Sequence, residues 1–169
     1  MNRVLRLAVS LACSLYLGCA FASEPRTFRL GKMEIAYDPE RWSPEPGGEG
    51  SVTMRPVGAM AKAFVPVSIT RTPSSGIDTC NVLARQELRQ DLYEEPTTSP
   101  MEIRGLPAMR LMAHTRCRNA TPMGFSICTY HAGSAYLLSV TIASCRAGGG
   151  SPFGPDPLHE LVQGMRFIP

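Results

Sequence analysis

The chain predicts an α+β fold, an antiparallel β-sheet flanked by helices, and three observations lead there. Residues Ala108 to Ala143 (AMRLMAHTRCRNATPMGFSICTYHAGSAYLLSVTIA) form three strand-like runs joined by tight turns. Earlier stretches alternate apolar and polar side chains with the period of two that a half-buried strand requires. Only two segments, one starting at Asp78 and one at Asp156, carry the i, i+3, i+4 apolar spacing of an amphipathic helix.

The first of the 169 residues are not expected to belong to that fold. Met1 to Ala22 has a basic start at Arg3 and Arg6, an apolar run from Leu7 to Leu17, and the small-x-small triplet Ala20-Phe21-Ala22. This is the layout of a secretory signal peptide with cleavage before Ser23, which leaves residues 23–169 as one domain. The apolar run is shorter than the roughly 20 residues a spanning helix needs, and no later stretch approaches that length. Lipid attachment at Cys19 is disfavoured, because Tyr16 occupies the place of a small aliphatic residue. The expected location is therefore the periplasm, or the outside, of a Gram-negative bacterium. Loss of Arg3 and Arg6 takes the basic residues from 17 to 15 against 14 acidic ones, so the formal net charge falls from +3 to +1. Such a balance gives no electrostatic case for nucleic acid or an anionic membrane.

Within the domain, Phe28, Leu30, Met33, Ile35 and Tyr37 alternate with polar neighbours, and Gly31-Lys32 marks a bend or hairpin. Trp42, the sole tryptophan, reads as a core anchor, and Ser43 to Gly50 as an exposed Pro/Gly-rich connection. Val52–Arg55 and Ala63–Arg71 are strand candidates, with Pro66 implying an edge or bulge in the second. The helix from Asp78 presents Cys80, Leu83, Ala84, Leu88 and Leu92 on one side, with Asp78 or Thr79 as cap and Pro96 as stop. Met101 to Pro107 is a short strand running into a turn. Ala147 to Pro155 has the composition of a linker, and a second helix starts with Asp156 as N-cap and Pro157 at N1, ending at Gly164. Met165 to Ile168 closes the chain as an extended piece.

Four cysteines follow the leader: Cys80, Cys117, Cys128 and Cys145. An even number in an exported chain points to two disulfides. Thr121-Pro122-Met123-Gly124 suits a type I turn, and two registers fit it. One sets Cys117 opposite Cys128 and His114 opposite His131; the other, shifted by one residue, puts the two cysteines on opposite faces. The first is favoured because it allows a cross-strand Cys117–Cys128 bridge, leaving Cys80 for Cys145.

The spacing His114-x2-Cys117-x10-Cys128-x2-His131 looks like a metal motif. Residues three apart on a strand point to opposite faces, however, so the four side chains cannot close a tetrahedron. What survives is a candidate binding face of Arg110, Met112, His114, Arg116 and His131, able at most to offer a two-histidine Cu or Zn site or a small-ligand surface. No nucleophile–base pair, paired-carboxylate or C-x-x-C pattern occurs, so no catalytic residue, metal site or cofactor is assigned and an enzyme is not expected.

The order of elements, with Tyr37-Asp38-Pro39-Glu40-Arg41-Trp42 at a strand end, Gly105-Leu106-Pro107-Ala108-Met109-Arg110 at a turn and Met165-Arg166-Phe167 after the last helix, resembles the PsbP/DcrB-like superfamily. The resemblance implies an α/β/α sandwich. Its members are mostly non-catalytic accessory subunits, envelope lipoproteins and toxin-immunity proteins. The function it implies is an exported binding or accessory protein acting through a protein partner. None of the matching positions carries a functional residue across, since they are turn and core positions.

Overall fold

A computed structural model describes residues 23–62, 65–88, 91–116, 123–141 and 157–169. The chain starts with a hairpin of β1 (Arg26–Leu30) and β2 (Met33–Tyr37), closed by the two-residue turn Gly31-Lys32 with Gly31 at φ 61°. Glycine suits the first position of such a tight turn because positive φ costs it nothing. Strands β3 (Trp42–Pro46), β4 (Ser51–Pro56) and β5 (Val67–Pro73) follow as a meander. Helix α1 (Asp78–Glu87) leads to a second meander of β6 (Thr97–Ile103), β7 (Leu106–His114), β8 (Met123–His131) and β9 (Ser134–Val140). Helix α2 (Pro157–Gly164) then runs directly into β10 (Met165–Phe167).

The two meanders merge into one seven-stranded antiparallel sheet of order β3-β4-β5-β9-β8-β7-β6, and β10 joins the first hairpin in a three-stranded sheet of order β1-β2-β10. The middle of the large sheet is covered on both sides, while Arg110 and His114 toward its β6–β7 end stay exposed. One face packs against α1 through Cys80, Ala84, Leu88, Leu111, Ala113, Cys128, Ala135 and Leu137. The other packs against the small sheet and α2, with Trp42, Met54, Ile69, Ile127 and Leu138 meeting Met33, Ile35, Leu158 and Leu161. Every residue of β9 is therefore buried, the pattern of a strand walled in on both faces rather than a half-exposed one. The expected sandwich holds in its coarse form, an antiparallel sheet between two layers. Its second outer layer is itself a small sheet as well as a helix.

Several local expectations change. Trp42 is a core anchor, but Trp42–Pro46 is an edge strand rather than loop, since an edge accommodates Pro44 and Pro46 by pairing on one side only. Pro66 precedes β5, which lies inside the sheet between β4 and β9, so it removes no ladder bond. Neither Asp78 nor Thr79 caps α1; Ile77 holds the cap position without a side-chain bond. The helix ends at Glu87 although the apolar spacing continues to Leu92. Beyond it Tyr93 bridges to Thr115, and the Arg116 N–H donates to the Leu92 carbonyl at 2.8 Å. Hydrogen bonds to the end of β7 replace those of a continued helix. The caps at Asp156 and the Thr121-Pro122 turn lie outside the described residues.

The main correction concerns register. β7 and β8 pair as Met112↔Phe125, Ala113↔Gly124 and His114↔Met123, so Gly124 sits within the strand and not in the turn. Its job is clearance. A Cβ built there would lie 2.5 Å from Leu88 Cδ2 and 2.7 Å from Tyr93 Cε1. The register expected from a turn at residues 121–124 is thereby displaced, and with it the expected Cys117–Cys128 pair. Cys128 instead lies opposite Met109 and bonds to Cys80, with Cα atoms 5.4 Å apart. Cys80 therefore has no place in a bridge to Cys145; Cys117 and Cys145 lie outside the described residues.

Two measurements follow. Gly124→Ala should destabilise the fold by about 1–3 kcal/mol through overpacking against Leu88 and Tyr93, read from denaturant midpoints at unchanged slope. Non-reducing peptide mapping should recover a Cys80–Cys128 peptide. Removing both cysteines should cost about 2–4 kcal/mol, as expected for a bridge closing a loop of 48 residues.

Candidate functional site

At one end of the sheet three two-residue turns converge: Gly31-Lys32, Arg104-Gly105 between β6 and β7, and Ala132-Gly133 between β8 and β9. In the latter two both residues have positive φ, 52° and 80° for the first pair and 46° and 75° for the second. These are type I′ geometries, whose first position normally goes to Asn, Asp or Gly. Here it holds Arg104 and Ala132. A left-handed L-residue costs about 1–2 kcal/mol, so each turn is held by its surroundings.

For Arg104 the surroundings are visible. Its Nε donates to the Met165 carbonyl at 3.2 Å and its Nη2 to the Gln163 carbonyl at 2.6 Å, capping the end of α2 where the helix leaves carbonyls unpaired. Gly164 lets α2 approach this closely, since a Cβ there would lie 2.1 Å from the Ala36 carbonyl oxygen. The chain end is fastened beside it. The Ile168 N–H donates to the Lys32 carbonyl at 2.8 Å, Lys32 Nζ donates to the Pro169 carbonyl, and the Lys32 N–H donates to Tyr136 Oη at 3.0 Å. His131 Nε2 lies 3.0 Å from the Ile168 carbonyl, an acceptor only, so that nitrogen carries the proton and Nδ1 is left over. Phe167 packs between His131, tilted at 5.1 Å between ring centroids, and Tyr136, edge-on at 5.6 Å. Arg166 binds Glu34 across the β2–β10 pair at 2.6 Å.

These elements border an open cleft of about 490 Å³ lined by Arg104, Leu106, His131, Arg166 and Phe167. The volume falls in the range of small-molecule sites, roughly 300–1,000 Å³. Its walls combine an apolar floor, Leu106 and Phe167, with two guanidinium groups and an imidazole.

Of the residues expected to form a binding face, the cleft contains His131 alone. Arg110, Met112 and His114 do share a side of β7, with Arg110 and His114 exposed. His114, however, pairs with Met123, and His131 lies eight residues farther along β8. At about 3.4 Å per residue the two histidines are about 27 Å apart, at opposite ends of the hairpin, so they cannot share a metal ion. Arg116 is a fastener: its Nε donates to the Tyr93 carbonyl at 2.8 Å. Among the described residues no three His, Cys, Asp or Glu side chains gather closely enough to hold a metal ion. The cleft residues Arg104, Leu106, Arg166 and Phe167 were overlooked because each reads locally as a turn or strand residue. A non-glycine before Gly105 in a two-residue turn was the available signal.

Far from the cleft, Asp38 accepts hydrogen bonds from the Ser23 hydroxyl and the Glu40 N–H and faces Arg41, and in that order these hold its carboxyl below its ordinary value. A depressed carboxyl stabilises the fold above the unfolded value near 3.8 and loses that contribution as pH falls through the folded value. Asp38→Asn should therefore flatten the acid limb of the stability profile and leave the profile's shape near neutrality unchanged, as followed by thermal melts across pH.

In class, then, this is an antiparallel α+β domain with helices on its outer layers. No family model matches the chain, and no curated protein matches it significantly. Among solved structures it is similar to the solution structure of cyanobacterial PsbP (CyanoP) from Synechocystis sp. PCC 6803, with a TM-score of 0.56 and 11% identity over 89% of this chain and 96% of that one. The fold is PsbP-like.

Proposed function

We propose that this chain is an exported, non-catalytic binding protein that acts through a protein partner in the envelope of a Gram-negative bacterium, with toxin immunity as its sharpest form. The observation that carries the reading is the Cys80–Cys128 bridge, buried between α1 and the sheet. A structural disulfide of this kind belongs to oxidising compartments, in keeping with the leader-like Met1–Ala22. The middle of the large sheet is occupied on both faces by the chain's own elements, and its β6–β7 end leaves exposed residues such as Arg110 and His114 on a face. Recognition then falls to turns and strand edges, the places where a rigid scaffold offers residues to another protein. Among the described residues no helix is long and apolar enough to cross a membrane. The PsbP-like fold is in keeping with the resemblance drawn from the sequence, and it is that resemblance that implies accessory and immunity roles.

A tagged chain exported to the periplasm and recovered from envelope extract should bring down one protein in near-stoichiometric amount, identifiable by mass spectrometry. If that partner is a secreted hydrolase whose activity falls on binding, the immunity form stands. A partner of another kind leaves only the general reading. Recovery of nothing above a tag-only control, at several ionic strengths, would remove both.

A further inference from the structure

We propose that the cleft between the Arg104-Gly105 turn and the C-terminal strand binds a small monocarboxylate carried on a flat apolar body. The proposal rests on the cleft's own chemistry and is independent of any protein partner.

The two arginines differ in how their charge is met. Arg166 is paired with Glu34, so together they are formally neutral. Among the described residues Arg104 is held by two backbone carbonyls, Met165 and Gln163, which orient the guanidinium without cancelling its charge. A guanidinium has five N–H donors, and these bonds use two nitrogens of Arg104 and two of Arg166. Each fork thus retains unspent donors in a fixed place, the arrangement that recognises a carboxylate with two parallel bonds. Of the two guanidiniums that line the cleft one is left without an acidic partner among the described residues, and that single charge favours a monocarboxylate over a phosphate dianion. Leu106 and Phe167 supply the apolar part of the lining, and Phe167 is held from behind by Tyr136. His131 Nδ1 adds a further polar position, because its Nε2 is committed to the Ile168 carbonyl.

Preorganisation is the second argument. Arg104 has a left-handed backbone that an asparagine or glycine would adopt more cheaply. Strain of this kind gathers at ligand-holding positions, where surrounding contacts over-determine the geometry. The turn aims the guanidinium along α2's end and into the cleft, with little side-chain freedom left to lose on binding.

The test is a ¹⁵N-labelled titration of the exported chain with 2-naphthoate, its neutral analogue 2-naphthamide and inorganic phosphate, at low and high salt. The expected result is a saturable set of shifts centred on Leu106, His131 and Phe167 with naphthoate, weakening with salt. Naphthamide should bind at least about tenfold more weakly, and Arg104→Gln should lose about tenfold or more in affinity for naphthoate, the scale of a charge-assisted hydrogen bond. Because Arg104 also fastens α2, Leu106→Glu is the second variant. It sets a carboxylate on the lining without touching the arginine anchors and should abolish naphthoate binding in a chain whose spectrum is otherwise unchanged. Equal binding of naphthamide, unchanged affinity in Leu106→Glu, shifts scattered over the surface, or phosphate outcompeting naphthoate would each overturn the assignment.

Discussion

The layer on the α1 side depends on one close approach, that of Leu88 and Tyr93 to the backbone of β8 at Gly124. With no Cβ in the way, the segment after α1 drops onto the sheet and hydrogen-bonds to the end of β7 through Leu92, Tyr93 and Glu94. That contact goes with the end of the helix, engages Thr115 and Arg116 with Leu92 and Tyr93, and needs the β7–β8 register in which Gly124 lies opposite Ala113. The register decides the rest. It brings Cys128 onto the face beneath α1, where Cys80 of the helix's first turn reaches it. It also carries His131 to the far end of the hairpin from His114. A disulfide, a helix end and the dispersal of an apparent metal motif are thus three results of one packing constraint.

The same constraint explains why some features were readable in the residues and others were not. Strand alternation in Phe28 to Tyr37, the two-residue turn at Gly31-Lys32 and the face of α1 that carries Cys80 and Ala84 depend on near neighbours, and they hold. Trp42 as a core anchor follows from its size alone. The hairpin register failed because Pro122 and Gly124 make a plausible turn by local rules, while the role of Gly124 is set by Leu88 and Tyr93, more than thirty residues earlier. The Cys80–Cys128 pairing inherited that failure. β3 was missed for a related reason: Trp42–Pro46 has a loop's composition and becomes a strand only because β4 pairs with it on one side.

The cleft was illegible for a third reason. Its lining comes from the β6–β7 turn with the adjoining start of β7, from the end of β8 and from β10, three segments far apart in sequence. What gathers them is the last stretch of chain. β10 adds to β2 as Met165↔Ile35, Arg166↔Glu34 and Phe167↔Met33, and its carbonyls then receive Arg104 and, one residue beyond it, His131. The small sheet therefore does more than cover the large one. It gives the sheet end a shallow, open concavity.

Arg104 shows how stability and recognition meet at that end. Were the turn required only to reverse the chain, asparagine would serve at lower backbone cost and arginine would be a poor choice. The guanidinium's bonds to Met165 and Gln163 offset part of that cost by satisfying carbonyls at the end of α2. A neutral donor of similar reach would satisfy them equally well. The feature these bonds leave unexplained is the positive charge itself, which lies beside Leu106 and Phe167 while Glu34 is engaged by the neighbouring Arg166. A charge held by neutral partners in a concave site retains its strongest interaction for whatever enters, and an anion is what that interaction selects.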